Sequence, residues 1–384
     1  MAHHSTVFSQ LLKVIPRHEF EAAAERHHSG AKLRSISRWD QFLALAAAQL
    51  TSRTSLRDTV ANFNAQFRRL YHLGANTVAR TSLSRVNRNQ PASLFEEIFH
   101  KLLARTQGLA PKHRFRFKAP LISLDASQIE MSLSLFPWAK YQATKGAIKL
   151  HVGLNHDGFL PQFLTVTDGK QHEVHWARAL DLPAGSVVVF DRGFFDYRFF
   201  NQLNQNKIRF ITRLKRDIPY TVLERRKVTK DQGLTSDQII QLTGKKALRY
   251  GLVLRRIGYR DPETGRHYFF LTNATDLAAS TIAQVYRDRW QIELFFKWIK
   301  QNLKIKSFVG TTPNAVLTQI WIAMSVYLML AYLKFLSAAG WSMSEIIRLL
   351  QLNLFQRRSL QDLLRPPDPR PPDPSPQLCL GVGW

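Results

Sequence analysis

The chain has a single cysteine, Cys379, among 384 residues. One thiol excludes an intrachain disulfide framework and any zinc site built on cysteines, and it fits a reducing compartment. Acids are scarce as well: 28 Asp and Glu stand against 54 Lys and Arg, a formal net charge of +26. Such an excess is more than solubility needs. It points to a polyanionic partner, nucleic acid first and an anionic membrane surface second. No apolar secretory core follows Met1. The longest apolar run, residues 316–336, carries Thr318, Gln319, Ser325, Tyr327, Tyr332 and Lys334. A lipid-facing span rarely holds so many polar groups, so the run reads as a buried helix and no membrane is expected. Internal repeats are lacking, apart from a short Pro-Pro-Asp-Pro echo in the proline-rich end.

What the chain does have is a core. Hydrophobic residues make up 45% of it, which indicates a globular protein and not a disordered one. Residues 1–115 read as helices. Phe8 to Ile15 has helical spacing and stops at Pro16; Trp39 to Leu50 follows. Thr51-Ser52 and Thr54-Ser55 offer N-caps for a helix through Leu56, Val60 and Phe63. After Gly74, a turn and a short helix would show Arg80, Arg85 and Arg88 to solvent, and Pro91 opens another helix. A capped, Arg-bearing helix after a turn suits a helix-turn-helix reader of double-stranded DNA; an ordinary bundle with a basic surface is the alternative.

The texture changes near Phe117. Residues 119–125 read as a buried strand ending in Asp125, and 147–155 as a second strand. Asp157-Gly158 forms a hairpin turn into a third, 160–167. Ser186 to Phe190 is apolar and β-branched, as expected of a central strand; it ends in Asp191-Arg-Gly. A helix over 197–206 and a strand over 208–213 follow. This order is that of a ribonuclease H-like sheet. The expected architecture is therefore α/β: a ribonuclease H-like core interrupted by a β-rich insertion, behind an α-helical N-terminal DNA-binding domain. The divisions fall at 1–115, 116–216, 217–272 (the basic insertion, with strands over 220–228, 248–259 and 267–271), 273–355 and a proline-rich tail, 356–384.

Residues 285–300 read as one helix capped upstream by Ser280. At about 100° per residue, Tyr286, Arg289, Glu293 and Lys300 fall within roughly a 60° arc. Val285, Ile292, Phe295, Phe296, Ile299 and Leu303 cluster on another face. A solvated mixed-charge face would look the same in isolation. With Asp125 and Asp191 at two strand ends, however, Glu293 completes a set of three carboxylates. Brought together they would repel unless cations bind, and their hard oxygens suit Mg²⁺, with Mn²⁺ as a substitute. Two such ions can activate a water or a 3′-hydroxyl and stabilise a leaving phosphodiester oxygen.

The joint pattern of Leu124-Asp125, Phe190-Asp191-Arg192-Gly193, and Tyr286, Arg289, Glu293 and Lys300 resembles insertion-sequence transposases of the DDE class, of the IS-four type. The resemblance covers most of the chain, and the long separation of Asp191 from Glu293 matches an insertion of β-rich sequence. It implies that Asp125, Asp191 and Glu293 are catalytic and bind two Mg²⁺. The protein would bind terminal inverted repeats, cleave at the element's ends and join the 3′-hydroxyls to target DNA, in relatives often through a hairpin. Tyr286, Arg289 and Lys300 would grip phosphates and a flipped base. A homodimer in the DNA complex and a bacterial cytoplasmic, nucleoid-associated location are implied too. A related metal-dependent nuclease and a non-catalytic DNA-binding protein of the same fold are the alternatives.

The resemblance has one departure: residues 200–280 hold no Trp to stack on a flipped base, leaving Tyr220, Tyr250, Tyr259 and Tyr268 as substitutes. Other residues compete for attention. His172, Glu173 and His175 suggest a metal cluster, but their spacing completes no zinc pattern, so they read as a loop beside the site. Lys140, Lys145 and Lys149 read either as a DNA path or as solvated lysines. Trp290 and Trp298 read as packing residues.

Overall fold

A computed structural model describes residues 5–140, 142, 146–228, 233–337 and 340–365. Lys145, Cys379 and the proline-rich run beyond Arg365 lie outside the described residues.

The N-terminal part is helical: α1 (Val7–Leu11), α2 (Arg17–Arg26), α3 (Arg38–Leu50), α4 (Leu56–Asn64), α5 (Phe67–Leu70), α6 (Arg80–Asn89) and α7 (Ser93–Gln107). Pro16 both ends the first turn of chain and stands at the N-cap of α2, a helix the sequence reading did not include. Proline suits a helix start because the first amide needs no partner there. Ser37 closes a capping box with Asp40 on α3, and Ser55 caps α4. Gly74, with φ of 60°, takes the left-handed conformation that turns the chain toward α6.

Among the described residues, nine strands form one sheet in the order β3-β2-β1-β4-β5-β9-β8-β7-β6. They are β1 (Leu121–Met131), β2 (Gly146–Asn155), β3 (Leu160–Asp168), β4 (Val187–Phe190), β5 (Arg209–Arg213), β6 (Tyr220–Arg226), β7 (Leu234–Leu242), β8 (Val253–Arg260) and β9 (His267–Thr272). Strand β1 is antiparallel to β2 and parallel to β4, and β4 is parallel to β5. Between them lie α8 (Glu173–Arg178), α9 (Tyr197–Gln205) and α10 (Lys245–Leu248). Three expectations change here. Asp125 does not end its strand, because β1 pairs with β2 as far as Met131. The expected strand over 248–259 begins only at Val253, after α10. The segment 217–272 also contains β7, and it extends the central sheet through the antiparallel pairing of β9 with β5.

The last part holds α11 (Ala279–Asp288), α12 (Gln291–Asn302), α13 (Pro313–Leu336), α14 (Met343–Asn353) and α15 (Leu360–Leu363). The expected single helix over 285–300 is thus two, and Ala278, not Ser280, is the N-cap of α11. At the junction Arg289 and Trp290 keep right-handed helical dihedrals, but the Arg289 amide is shared between the Val285 and Tyr286 carbonyls, both at 3.2 Å, and the Trp290 amide bonds only three residues back, to Arg287. This tightening breaks the regular ladder without proline or glycine. The long apolar helix α13 is buried against α3 and α7, so the N-terminal helices, α12, α13 and one face of β1–β3 share a core. The opposite face of the sheet is covered by α8 and α9, with Phe190, Phe199, Phe200 and Phe210 at its centre.

Candidate active site

The register of the parallel strands builds the site. Leu124 of β1 pairs with Phe190 of β4, so the next residues along, Asp125 and Asp191, stand side by side. Val189 of β4 pairs with Ile211 of β5, which brings Arg213 to the same end of the sheet. The end of a parallel sheet, where strands release the chain into loops, is where such α/β folds hold ligands. Asp191 is fixed there by two bonds: its Oδ1 accepts from the Gly193 amide at 2.7 Å, and its carbonyl accepts from the Thr212 hydroxyl at 3.2 Å. Asp125 accepts from the Ala126 amide at 2.8 Å.

Glu293 arrives from α12. Ile292, Phe295, Phe296 and Ile299 anchor that helix in the core shared with β1 and β2, which leaves Glu293 on the side facing the two aspartates. Its Oε1 accepts from Arg289 at 2.8 Å, and its Oε2 is buried with no hydrogen-bond partner. A buried orphan carboxylate oxygen is costly and calls for a cation or a donor. The Arg289 guanidinium also lies over the Tyr286 ring, 5.5 Å from its centroid. The helix break at Arg289–Trp290 therefore sits within the polar stripe itself, with Tyr286 before it and Glu293 after.

Charge couples these groups. Burial pushes the Asp125 carboxyl up to about 7, Ala126 and Arg289 oppose the rise, and Glu293 and Asp191 add to it. Burial disfavours the Arg289 charge, yet Tyr286, Glu293 and Asp125 outweigh it and raise its pKa. Lys300 is lowered by burial and by Lys306, against the pull of Glu130 and Asp125; its ammonium donates to the Gln128 carbonyl of β1 at 3.0 Å. So the structure brings Asp125, Asp191, Glu293, Tyr286 and Arg289 together, with Lys300 tied to Gln128, three residues beyond Asp125 along β1.

Two cations and one acid join the site beyond the expected set. Arg213 acts on Tyr286 electrostatically and sits 4.6 Å from the Tyr268 ring centroid. Tyr268 stacks on Phe270, which in turn lies 4.9 Å from Tyr286. Tyr259 also lies by Phe270, at 6.1 Å, but it is Tyr268 that carries Arg213 over its ring; Tyr220 and Tyr250 pack against the opposite core. Glu173 and Lys149 approach Asp191 from α8 and β2, Lys149 bridging to Glu173 at 3.5 Å and to the Gln171 carbonyl at 3.1 Å. Lys140 is exposed. His172 accepts from the Val174 amide as the N-cap of α8, and His175 meets it edge to face. Trp298 packs as expected, donating to Ser344 and meeting Tyr327 edge-on. Trp290 does not: it is 60% exposed at the helix break.

The three carboxylates fit a divalent cation by the chemistry of their oxygens and by the orphan Glu293 oxygen. As they stand, no three His, Cys, Asp or Glu side chains among the described residues are drawn close enough to hold one. Arg289 occupies the other oxygen of Glu293 and offsets the acid charge.

On the N-terminal helices, Arg57, Arg80, Arg85 and Arg88 line a groove of about 590 Å³ between α4 and α6. The three arginines expected on α6 are exposed there.

Residues 116–329 match the transposase DDE domain family, and residues 3–76 match a domain of unknown function (DUF4372). The y4zB protein of Sinorhizobium fredii, which carries a transposase name, is 31% identical over 289 residues, 74% of this chain and 80% of that protein. A Geobacillus stearothermophilus protein named for transposition of insertion sequence element IS5377 is 31% identical over 58% of this chain and 59% of its own length. A solved synaptic complex of piggyBac transposase with hairpin DNA aligns at a TM-score of 0.47 and 10% identity, over 95% of this chain and 81% of that one.

Proposed function

From the premise that this chain belongs to the DDE transposase family, we propose that it cuts DNA at the ends of an insertion sequence and joins the freed 3′-hydroxyls to a target. The observation that carries this reading is the convergence of Asp125, Asp191 and Glu293 on one end of the sheet, mutually coupled and only partly neutralised. The strand order β3-β2-β1-β4-β5, with β2 alone reversed relative to β1, β4 and β5 on one side, supports a ribonuclease H-like core.

Asp125, Asp191 and Glu293 would hold two Mg²⁺, or Mn²⁺ in substitution. When bound, the ions lower the pKa of the attacking hydroxyl and offset charge on the leaving oxygen. The chain's own residues do the rest. Glu293 frees its Oε1 as Arg289 turns from carboxylate to phosphate, an exchange of one charge-assisted bond for another. Tyr286 keeps the guanidinium oriented through that change. Lys300, already tied to β1, offsets a phosphate further along the strand, and Arg213 adds a cation from the β5 end. Tyr268 is the insertion tyrosine best placed to meet a displaced base. The arginine groove of α4 and α6 supports recognition of the terminal repeats, with Arg80, Arg85 and Arg88 on phosphates or base edges. Since two ends must be held at once, the DNA complex contains a homodimer.

The test mixes the protein with its element's terminal repeats, target DNA and Mg²⁺. Joined products are expected. Glu293→Gln retains end binding and loses cleavage; retained cleavage would sink the assignment of Glu293. Cleavage without joining favours a nuclease, and a gel shift alone favours a DNA-binding protein.

A further inference from the structure

Gly193 has an ordinary negative φ, so the backbone does not demand glycine there. Space does. A Cβ built on Gly193 would fall 2.9 Å from Asp191 Oδ1 and 2.9 Å from Glu173 Oε2. The two oxygens therefore border the same missing side chain and lie no more than twice that distance apart. The gap is open to solvent, since Gly193 is exposed. Glu173 comes from the side of the sheet opposite α12. Strand β1 sends Leu124 into the core beneath α8 while Asp125 is coupled to Glu293 on α12. Asp191, at the end of β4, is thus flanked by Glu293 from one side and Glu173 from the other.

Glu173 is also held in place. Its Oε1 bridges to Lys149, whose ammonium is half-spent on the Gln171 carbonyl. Lys149 lies opposite Gln128 in the β1–β2 ladder, and Gln128 carries the bond from Lys300. One ion-pair arm thus aims Oε2 at the gap, and among the described residues that oxygen has no cation of its own.

We propose that Glu173 is a positioning residue for the divalent cation at Asp191: its Oε2 accepts a hydrogen bond from a water of the cation's hydration shell across the Gly193 gap. This rests on the reading that Asp191 holds such a cation. Mg²⁺ sheds its waters reluctantly and is often held by one or two carboxylates with the remaining shell aqueous. An acid that grips those waters fixes the ion without touching it, and loss of such an outer partner typically weakens metal binding about 10–100-fold.

The experiment measures Mn²⁺ binding to the full chain without DNA, by the loss of the free Mn²⁺ paramagnetic resonance signal. Four variants are compared, with melting curves to confirm that each folds. Glu173→Gln should weaken Mn²⁺ at least about 10-fold. Gly193→Ala should do likewise, because its methyl fills the gap while both carboxylates remain. Lys149→Met keeps the carboxylate but removes the arm that aims it, and should weaken Mn²⁺ binding by less than Glu173→Gln does. Asp191→Asn should abolish the site. If Asp191→Asn loses Mn²⁺ while Glu173→Gln binds it like the parent, the role of Glu173 is overturned and the metal reading stands. Equal losses in Lys149→Met and Glu173→Gln would mean a merely structural pair and would also overturn it. Unchanged binding in Asp191→Asn would overturn the metal reading itself.

Discussion

Replacing Asp125 with Asn should make the metal-free protein more stable at pH 8 while removing its activity. The buried carboxyl is raised from 3.8 to about 7. Between those values the folded state keeps a proton that the unfolded chain gives up. Stability therefore falls as pH rises through that window, and the full cost is carried above pH 7. At 1.36 kcal/mol per unit the cost is about 4 kcal/mol as an upper bound. Asn has nearly the same shape and no charge, so Asp125→Asn relieves it. Scanning fluorimetry in a chelator should show a melting temperature several degrees above the parent at pH 8 and a gain less than half as large at pH 5, where only the lower part of the window from 3.8 to about 7 has been crossed. Mg²⁺ or Mn²⁺ should raise the parent's melting temperature at pH 8 and leave the variant's alone. A variant that melts at or below the parent at pH 8, or a gain that does not vary with pH, would refute the reasoning.

Three further outcomes are expected. Arg255 on β8 makes a buried two-pronged pair with Asp237 on β7, at 2.8 and 2.7 Å, and caps the carbonyls of Ala274 and Leu277 ahead of α11; Asp237→Asn should cost about 3–5 kcal/mol in urea melts by stranding the guanidinium. His156 is buried on the Ser123 hydroxyl at 2.7 Å, and burial lowers it to about 4. The unfolded chain gains a proton there as pH drops below its ordinary 6.5, so stability is lost from about 6.5 down to 4, and His156→Gln should flatten that part of a pH–stability curve. Changing Arg80, Arg85 and Arg88 together to Ala should weaken end binding and, if all three meet phosphates, reduce the slope of log affinity against log salt by about 3, read by fluorescence anisotropy.

Much of the site was legible because strand ends and helix phase are local properties. Asp191 follows an apolar β-branched run, and Glu293 shares a stripe with Tyr286 and Arg289. The helix break at Arg289–Trp290 was not legible, since no proline or glycine marks it and the change is a shift of hydrogen bonds by one residue. Strand β7 escaped because its buried positions include Asp237 and Gln238, which face Arg255 and Arg256. Buried pairs of opposite polarity erase the alternation that reveals a strand. Arg213 needed the register: only once β5 lies parallel beside β4 does its last residue reach the level of Asp191. Glu173 stood out in the sequence for its histidine neighbours, whereas its place comes from the gap at Gly193. The exposure of Trp290 goes with helix phase: Leu294, four residues on and on the same face, is exposed as well.

The central claim is that Asp125, Asp191 and Glu293 together hold the catalytic cations. Its most direct test is anomalous diffraction from crystals of the protein bound to a terminal-repeat end and soaked in Mn²⁺. Mn²⁺ peaks are expected against the carboxylates of Asp125 and Asp191, with Glu293 released from Arg289 to complete the set. Mn²⁺ bound elsewhere, with the Arg289–Glu293 pair intact and the aspartates bare, would contradict it.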